Sequence, residues 1–335
     1  MSAVPKSAPR RVRLGFVGLG WIGRKRLDSI ASDAGVEVAA LFDATREKLD
    51  DAAQAYPAAV SVSSVDELLA IGVDGVVIAT PNGAHAAQAL RCLQSGVAVF
   101  CQKPLATTAG DVHQIIDAAR AADRLLGIDF CYRHVNGMSE LKRRIAAGAL
   151  GEITSIDLTF HNAYGPDKQW CFDKGLAGGG CLLDLGVHLL DLALWLQGEG
   201  ASLELIDARR FAQGRSAQRD EIEDQAFAEL RAPNGALVRL ACSWYAQIGC
   251  DAVIEARVLG TKGGALWRNV GGSFYDFELF ACRGAHRETL ARGPDEWGPR
   301  ALAAWAHRLA EDRAFDPAAI DIARSADLID AIYAV

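Results

Sequence analysis

The chain has 335 residues, 50% of them hydrophobic, and a formal charge of −7, the size and composition of a two-domain globular protein. Lysines and arginines form no basic stripe, which argues against nucleic acid as the main partner, and no apolar run reads as long enough to cross a bilayer. The eight cysteines, at 92, 101, 131, 171, 181, 242, 250 and 282, form neither a C-x-x-C pair nor a metal-ligand grouping. They read as reduced core thiols. Residues 1–10 carry Pro5, Lys6, Pro9 and Arg10 but no apolar signal core, so they are expected to be a short disordered tail on a cytoplasmic protein.

From residue 12 the pattern alternates. Residues 12–18 (VRLGFVG) predict a short buried strand ending in glycine, 22–34 an amphipathic helix, 36–42 a second strand closed by Asp43, and 45–55 a helix. Strands at 75–79, 98–101 and 125–130 then alternate with helices at 84–93 and 111–122. Such alternation predicts a parallel sheet covered on both faces. After Arg133 the rhythm changes: a helix at 139–147, a strand at 153–160, an irregular aromatic loop at 162–178 and a long helix at 181–196. Strands at 224–231 and 236–244 flank Pro233-Asn234-Gly235, a hairpin turn signal, and helices at 299–310 and 317–332 finish the chain. The second half predicts a mostly antiparallel sheet with helices on one face.

Gly18-Leu19-Gly20-Trp21-Ile22-Gly23 matches G-x-G-x-x-G, between the first predicted strand and the first predicted helix. The first glycine permits the sharp turn, the second lets a pyrophosphate approach the backbone, and the third lets helix pack closely on sheet. Helix N-terminal amides then face the phosphates. Asp43 follows at about the ~20-residue interval expected for the acidic residue that accepts the ribose hydroxyls. A carboxylate there repels a 2′-phosphate and predicts NAD over NADP, although Arg46 lies close enough to soften the preference. Asp43 also suits capping of the helix near Thr45. The expected division is therefore a Rossmann dinucleotide-binding domain at 1–133 and a substrate-binding and oligomerisation domain at 134–335, with the boundary placed by the change of pattern alone.

Lys103, in Val97-Ala98-Val99-Phe100-Cys101-Gln102-Lys103-Pro104, stands at the carboxyl end of a central strand, where ligands bind in open α/β sheets. A lysine there can hydrogen-bond a substrate oxygen and stabilise developing negative charge. Pro104 holds it out of helical geometry. Asp184 and His188 are spaced i, i+4, which on a helix brings their β-carbons to about 5–6 Å. A carboxylate so placed can orient an imidazole that takes a hydroxyl proton near neutral pH. Two other readings stay open: a structural histidine satisfied by Asp184, and a metal site completed by Asp191. No metal is expected.

Gly18–Gly23, Ala79-Thr80-Pro81-Asn82-Gly83-Ala84-His85, Gln102-Lys103-Pro104, and the segment 178–191 with its Gly178-Gly179-Gly180 run, Asp184, His188 and Asp191, resemble the Gfo/Idh/MocA oxidoreductases, the family of glucose–fructose oxidoreductase and inositol dehydrogenase. The likeness runs from about Val12 to at least Leu196. It implies a Rossmann domain followed by an α/β domain with a large, open, mostly antiparallel sheet, a pyridine nucleotide between them, and reversible oxidation of a secondary hydroxyl on a sugar, cyclitol or related polyol. It implies that Lys103 binds the reacting oxygen, that His188 is acid and base with Asp184 assisting, and that Thr80, Pro81, Asn82, His85 and Gln102 lie along the coenzyme together with Gly18, Gly20, Trp21, Ile22, Gly23 and Asp43. It further implies a cis bond before Pro104 and a homodimer or homotetramer formed through the open sheet. His161, Asn162 and Trp170 are candidates for substrate contact, and each of them, like Arg133 at the domain junction, admits either a site or a structural role. Two alternatives accompany this reading: a keto-sugar-nucleotide reductase and a catalytically silent dinucleotide-binding regulator.

The family usually has glutamate where this chain has Gln102. Removal of that charge is expected to let Lys103 lose its proton more readily, so that Gln102→Glu moves the pH–rate profile.

Overall fold

The structure, a computed structural model, describes residues 11–335, and the tail expected at residues 1–10 lies outside the described residues. Six strands form the first sheet: β1 (Val12–Val17), β2 (Val36–Phe42), β3 (Val60–Ser61), β4 (Gly75–Ile78), β5 (Ala98–Cys101) and β6 (Leu126–Ile128). They alternate with α1 (Trp21–Ile30), α2 (Arg46–Ala55), α3 (Val65–Ala70), α4 (Asn82–Gln94) and α5 (Ala109–Ala122). All pairings are parallel, and the order is β3-β2-β1-β4-β5-β6. The order reverses between β1 and β4, so the crevice beyond their carboxyl ends is the ligand position for this topology. β4 and β5 are buried throughout, which is why they read as unbroken apolar runs. The two-residue β3 is exposed and too short to show a period, and it was not expected from sequence.

The remaining elements are α6 (Met138–Ala146), β7 (Ile153–Asn162), α7 (Lys174–Ala177), α8 (Val187–Gln197), β8 (Glu204–Ala212), β9 (Arg215–Ser216), β10 (Gln225–Arg231), β11 (Leu237–Ser243), β12 (Ala252–Gly260), β13 (Gly264–Asn269), β14 (Phe277–Arg283), β15 (His286–Arg292), α9 (Arg300–Glu311) and α10 (Ile320–Ala334). The nine strands run β15-β14-β13-β12-β7-β11-β10-β8-β9. Every neighbour is antiparallel except β7 beside β11. The hairpin expected around Pro233-Asn234-Gly235 is present, with Gly235 at φ +86°. Burial alternates along β10 and β11 because α8 and α10 cover one face and leave the other open.

The structure departs from the sequence expectations at three places. The helix expected over 181–196 begins with a π turn at Leu182–Gly186, and the regular helix starts only at Val187. The stretch Lys174–Gln197 is, by length and composition, apolar enough to cross a bilayer, contrary to the reading of the sequence, but 89% of its most apolar window is buried inside the protein. Finally, α9 does not pack with the second sheet: Ala301, Leu302, Trp305, Ala306 and Leu309 join the core formed by β1, α1 and β5. Trp305 lies over the strands, 5.5 Å from the Phe100 ring, where a Cβ at Gly75 or Gly127 would come within 2.5 Å of its indole. The chain therefore crosses back after β15, and the first sheet draws part of its cover from beyond residue 133.

Candidate active site

The turn from β1 into α1 has the shape that a dinucleotide needs. Gly18 sits at φ +89°, a Cβ on Gly20 would meet nothing within 4 Å, and a Cβ on Gly23 would lie 2.0 Å from the Gly18 carbonyl oxygen. The loop thus takes a conformation open only to glycine at its first glycine, is open at its second and is packed at its third. No side chain caps α1 and no acidic residue occupies its first turn, so its amides are left for an anion. Asp43 braces this loop: Oδ2 accepts from the Leu19 amide at 2.7 Å and Oδ1 from the Thr45 amide at 2.7 Å. It borders a pocket lined also by Arg46, Ser61, Ser63 and Glu67. Arg46 is exposed and bound to Asp50, one turn along α2, at 2.8 Å.

Lys103 follows β5, and the Lys103–Pro104 bond is cis. Its ammonium donates to Asp184 Oδ1 at 2.6 Å and to the Asp184 carbonyl at 2.8 Å. Asp184 Oδ2 accepts from Trp244 Nε1 at 3.1 Å. The spacing argument expected Asp184 to orient His188, whereas the carboxylate is taken by Lys103 and Trp244. The π turn is the reason, since it carries Asp184 in a wider turn than the α geometry assumed for an i, i+4 pair. His188 is buried, edge-on to Tyr132 at 4.8 Å, and its Nδ1 has no hydrogen-bond partner among the described residues. Burial, then the charges of Lys103 and Arg26, push this imidazole well below its ordinary pKa, so the ring is neutral.

Two residues expected along the coenzyme also tie parts of the fold together. His85 is fully buried, with Nδ1 2.8 Å from the Pro104 carbonyl and Nε2 2.8 Å from the Thr80 carbonyl. It ties the loop after β4 to the loop after β5, and burial lowers its pKa. Gln102 is buried and donates to Asp129 Oδ2, which also receives Arg26 Nε at 2.5 Å. The amide at 102 therefore completes a buried Arg26–Asp129 pair. Gln102→Glu would set a second carboxylate against Asp129 with one guanidinium to share, and is expected to cost about 2–4 kcal/mol at neutral pH. Thermal unfolding of the variant checks this; an unchanged midpoint would contradict the assignment.

Thr80 donates from its hydroxyl to Gln88, and the Asn82 amide reaches across to the Ala177 carbonyl at 2.9 Å, joining α4 to α7. Pro81 precedes α4 and leaves its first turn without a side-chain cap. Arg133 makes a two-pronged contact with buried Asp191, with Nε 2.9 Å from Oδ2, so Asp191 is bound to the domain junction and not grouped with His188. His161 and Asn162 end β7 beside the end of β11, and His161 Nδ1 lies 2.7 Å from Ser243 Oγ. Trp170 sits half-buried in the loop before α7. Trp244, Arg26 and Asp129 escaped the sequence reading: Trp244 read only as the end of a strand, and the other two meet Gln102 only once the strand order is known.

The glycine loop at the switch point of a six-stranded Rossmann sheet, with an amine after β5 meeting a carboxylate from the second half of the chain, defines a dinucleotide-binding protein. Comparison with known proteins takes this further. Residues 12–130 match the model of the oxidoreductase family with an NAD-binding Rossmann fold, and residues 138–266 match that of the GFO/IDH/MocA C-terminal domain. The chain belongs to the Gfo/Idh/MocA oxidoreductase family, as its motifs suggested. It is 28% identical over 279 residues to the D-glucoside 3-dehydrogenase of Escherichia coli K12, covering 79% of each chain. It is 28% identical over 307 residues to inositol 2-dehydrogenase 3 of Saccharopolyspora erythraea, covering 85% of this chain and 88% of the relative. The fold is shared with KijD10, a 3-ketoreductase of Actinomadura kijaniata solved with NADP and TDP-benzene (TM-score 0.83, 21% identity, 97% and 98% of the two chains). It is shared too with levoglucosan dehydrogenase solved with NADH and L-sorbose (TM-score 0.81, 22% identity, 96% of each).

Proposed function

We propose that the protein interconverts a secondary hydroxyl and the corresponding ketone on a sugar, cyclitol or related polyol, with NAD preferred over NADP. The observation that carries this reading is the Lys103 ammonium, held at the carboxyl end of β5 by Asp184 at 2.6 Å. The dehydrogenases named among its relatives act on molecules of this kind. The residues of the glycine loop fit a pyridine dinucleotide, which when bound accepts or supplies the hydride. Lys103 donates a hydrogen bond to the reacting oxygen and stabilises its negative charge. Asp184 holds the amine, Trp244 holds Asp184, and the neutral His188 ring accepts the hydroxyl proton at Nε2. A ring biased by burial against protonation stays available as an acceptor on the acid side of neutrality.

The coenzyme preference rests on charge. Asp43 and Glu67 both line the pocket beyond β2, and its nearest cation, Arg46, is paired with Asp50. A 2′-phosphate there would face two carboxylates, so the KM for NADP is expected to exceed that for NAD by about tenfold or more. Turnover of a panel of sugars and cyclitols with each coenzyme tests both claims. No turnover with any polyol would favour a regulator, and a KM for NADP at or below that for NAD would reverse the preference. The open face of the second sheet exposes Ile206, Phe227 and Leu259, and self-association through it, as dimer or tetramer, accounts for that apolar surface.

A further inference from the structure

We propose that Glu223 and Tyr333 are positioning residues for the reaction: they fix the start of the π turn and through it the direction in which Asp184 holds Lys103. The proposal rests on the reading of Lys103 and Asp184 as the reacting pair. Glu223 lies between β9 and β10 and is fully buried. Its Oε2 accepts from the Gly180 amide at 3.2 Å, and its Oε1 accepts from the Leu182 amide at 2.9 Å. Its backbone carbonyl accepts from the Cys181 amide at 3.0 Å. One residue thereby satisfies three successive amides at the head of the turn that carries Asp184, donors that a helix start otherwise leaves unmet. The fourth hydrogen bond comes from α10, where the Tyr333 hydroxyl donates to Glu223 Oε1 at 2.9 Å.

This arrangement explains the glycine run better than flexibility does. A Cβ on Gly179 would lie 2.0 Å from the Tyr333 hydroxyl oxygen, and one on Gly180 would lie 1.9 Å from the Glu223 carbonyl oxygen. The two glycines are small so that the carboxylate and the phenol can reach the backbone. No lysine or arginine forms an ion pair with Glu223 among the described residues, so this buried carboxylate depends on its amide and hydroxyl donors. A group of that cost is retained where it holds something in place. What it holds is two residues from Asp184, whose two oxygens must face Lys103 and Trp244 at once.

The test uses Tyr333→Phe and Glu223→Gln in the full chain. Phenylalanine keeps the ring and removes one donor. Glutamine keeps one oxygen acceptor but turns its amide NH2, a donor, toward one of the two backbone N–H donors. Tyr333→Phe is expected to lower kcat about three- to tenfold, and Glu223→Gln about tenfold or more, with coenzyme Kd unchanged and the pH limb of kcat displaced. A folded Tyr333→Phe with wild-type kcat and an unmoved pH limb would overturn the proposal, as would a fall in kcat matched by an equal loss of coenzyme affinity. Should Glu223→Gln fail to fold, Tyr333→Phe decides alone. Lys103→Ala run in parallel separates the two levels: a kcat within a few-fold of wild type there defeats the reading of the reaction, whereas a kcat lowered about 10²-fold or more there but unchanged in Tyr333→Phe defeats only the positioning role.

Discussion

Lys103→Ala is expected to lower kcat about 10²–10³-fold while coenzyme affinity stays within about twofold. The amine follows β5 and is held there by the Asp184 carboxylate at 2.6 Å. Removing it deletes the proposed donor to the reacting oxygen and, among the described residues, leaves Asp184 with Trp244 as its remaining side-chain partner. Both changes raise the barrier to alkoxide formation. Coenzyme binding is spared because the glycine loop and the Asp43 brace lie on other strands and keep their contacts. Rapid mixing that follows the reduced nicotinamide in a single turnover checks this directly. A hydride-transfer rate within a few-fold of the wild type would remove Lys103 from the chemistry.

Stability is expected to fall as pH drops below about 6.5. His85 and His188 are both fully or almost fully buried, and burial lowers the pKa of each. In the unfolded chain they take up protons near pH 6.5, whereas in the folded chain they resist them. Between those points the unfolded state binds more protons, so each histidine removes stability as pH falls, by at most about 1.4 kcal/mol per pH unit, and His85 by less because its bonds to two carbonyl oxygens oppose the effect of burial. His134 and His161, also lowered by burial, add in the same direction. Asp191 and Glu223, raised by burial, act in the opposite sense at lower pH, where carboxylates titrate. Urea unfolding at pH 7.5 and pH 5.5 measures the slope, which His188→Gln should reduce by one histidine's share. Stability that is flat or rising toward pH 5.5 would contradict the neutral burial of these rings.

The parts of the protein that local pattern encodes were legible in the sequence. The glycine loop, the strand leading to Lys103 and the hairpin at Pro233-Asn234-Gly235 each follow from a periodicity or a turn residue, and each was found where expected. The partner of Asp184 was not legible, because the i, i+4 rule assumes α geometry and the chain makes a π turn at Leu182–Gly186. Nor was the docking of α9: its amphipathic pattern shows that it buries Leu302, Trp305 and Leu309, but not against which sheet. Gln102 shows a third limit. Its side chain read as a change beside Lys103, whereas its environment is made by Arg26 of α1 and Asp129 after β6, residues that the strand order alone brings beside it.

The proposed reaction requires that the Lys103 amine, the His188 ring and the coenzyme meet on one substrate oxygen in the crevice beyond β1, β4 and β5. A crystal structure of the ternary complex with NAD and a polyol that the enzyme turns over measures this without intermediaries. The account predicts Lys103 Nζ within hydrogen-bond reach of the hydroxyl that is oxidised, His188 Nε2 on the same oxygen, and Asp184 still on the amine. A polyol bound with its reactive hydroxyl away from Lys103, or a coenzyme seated outside the Gly18–Gly23 loop, would contradict it.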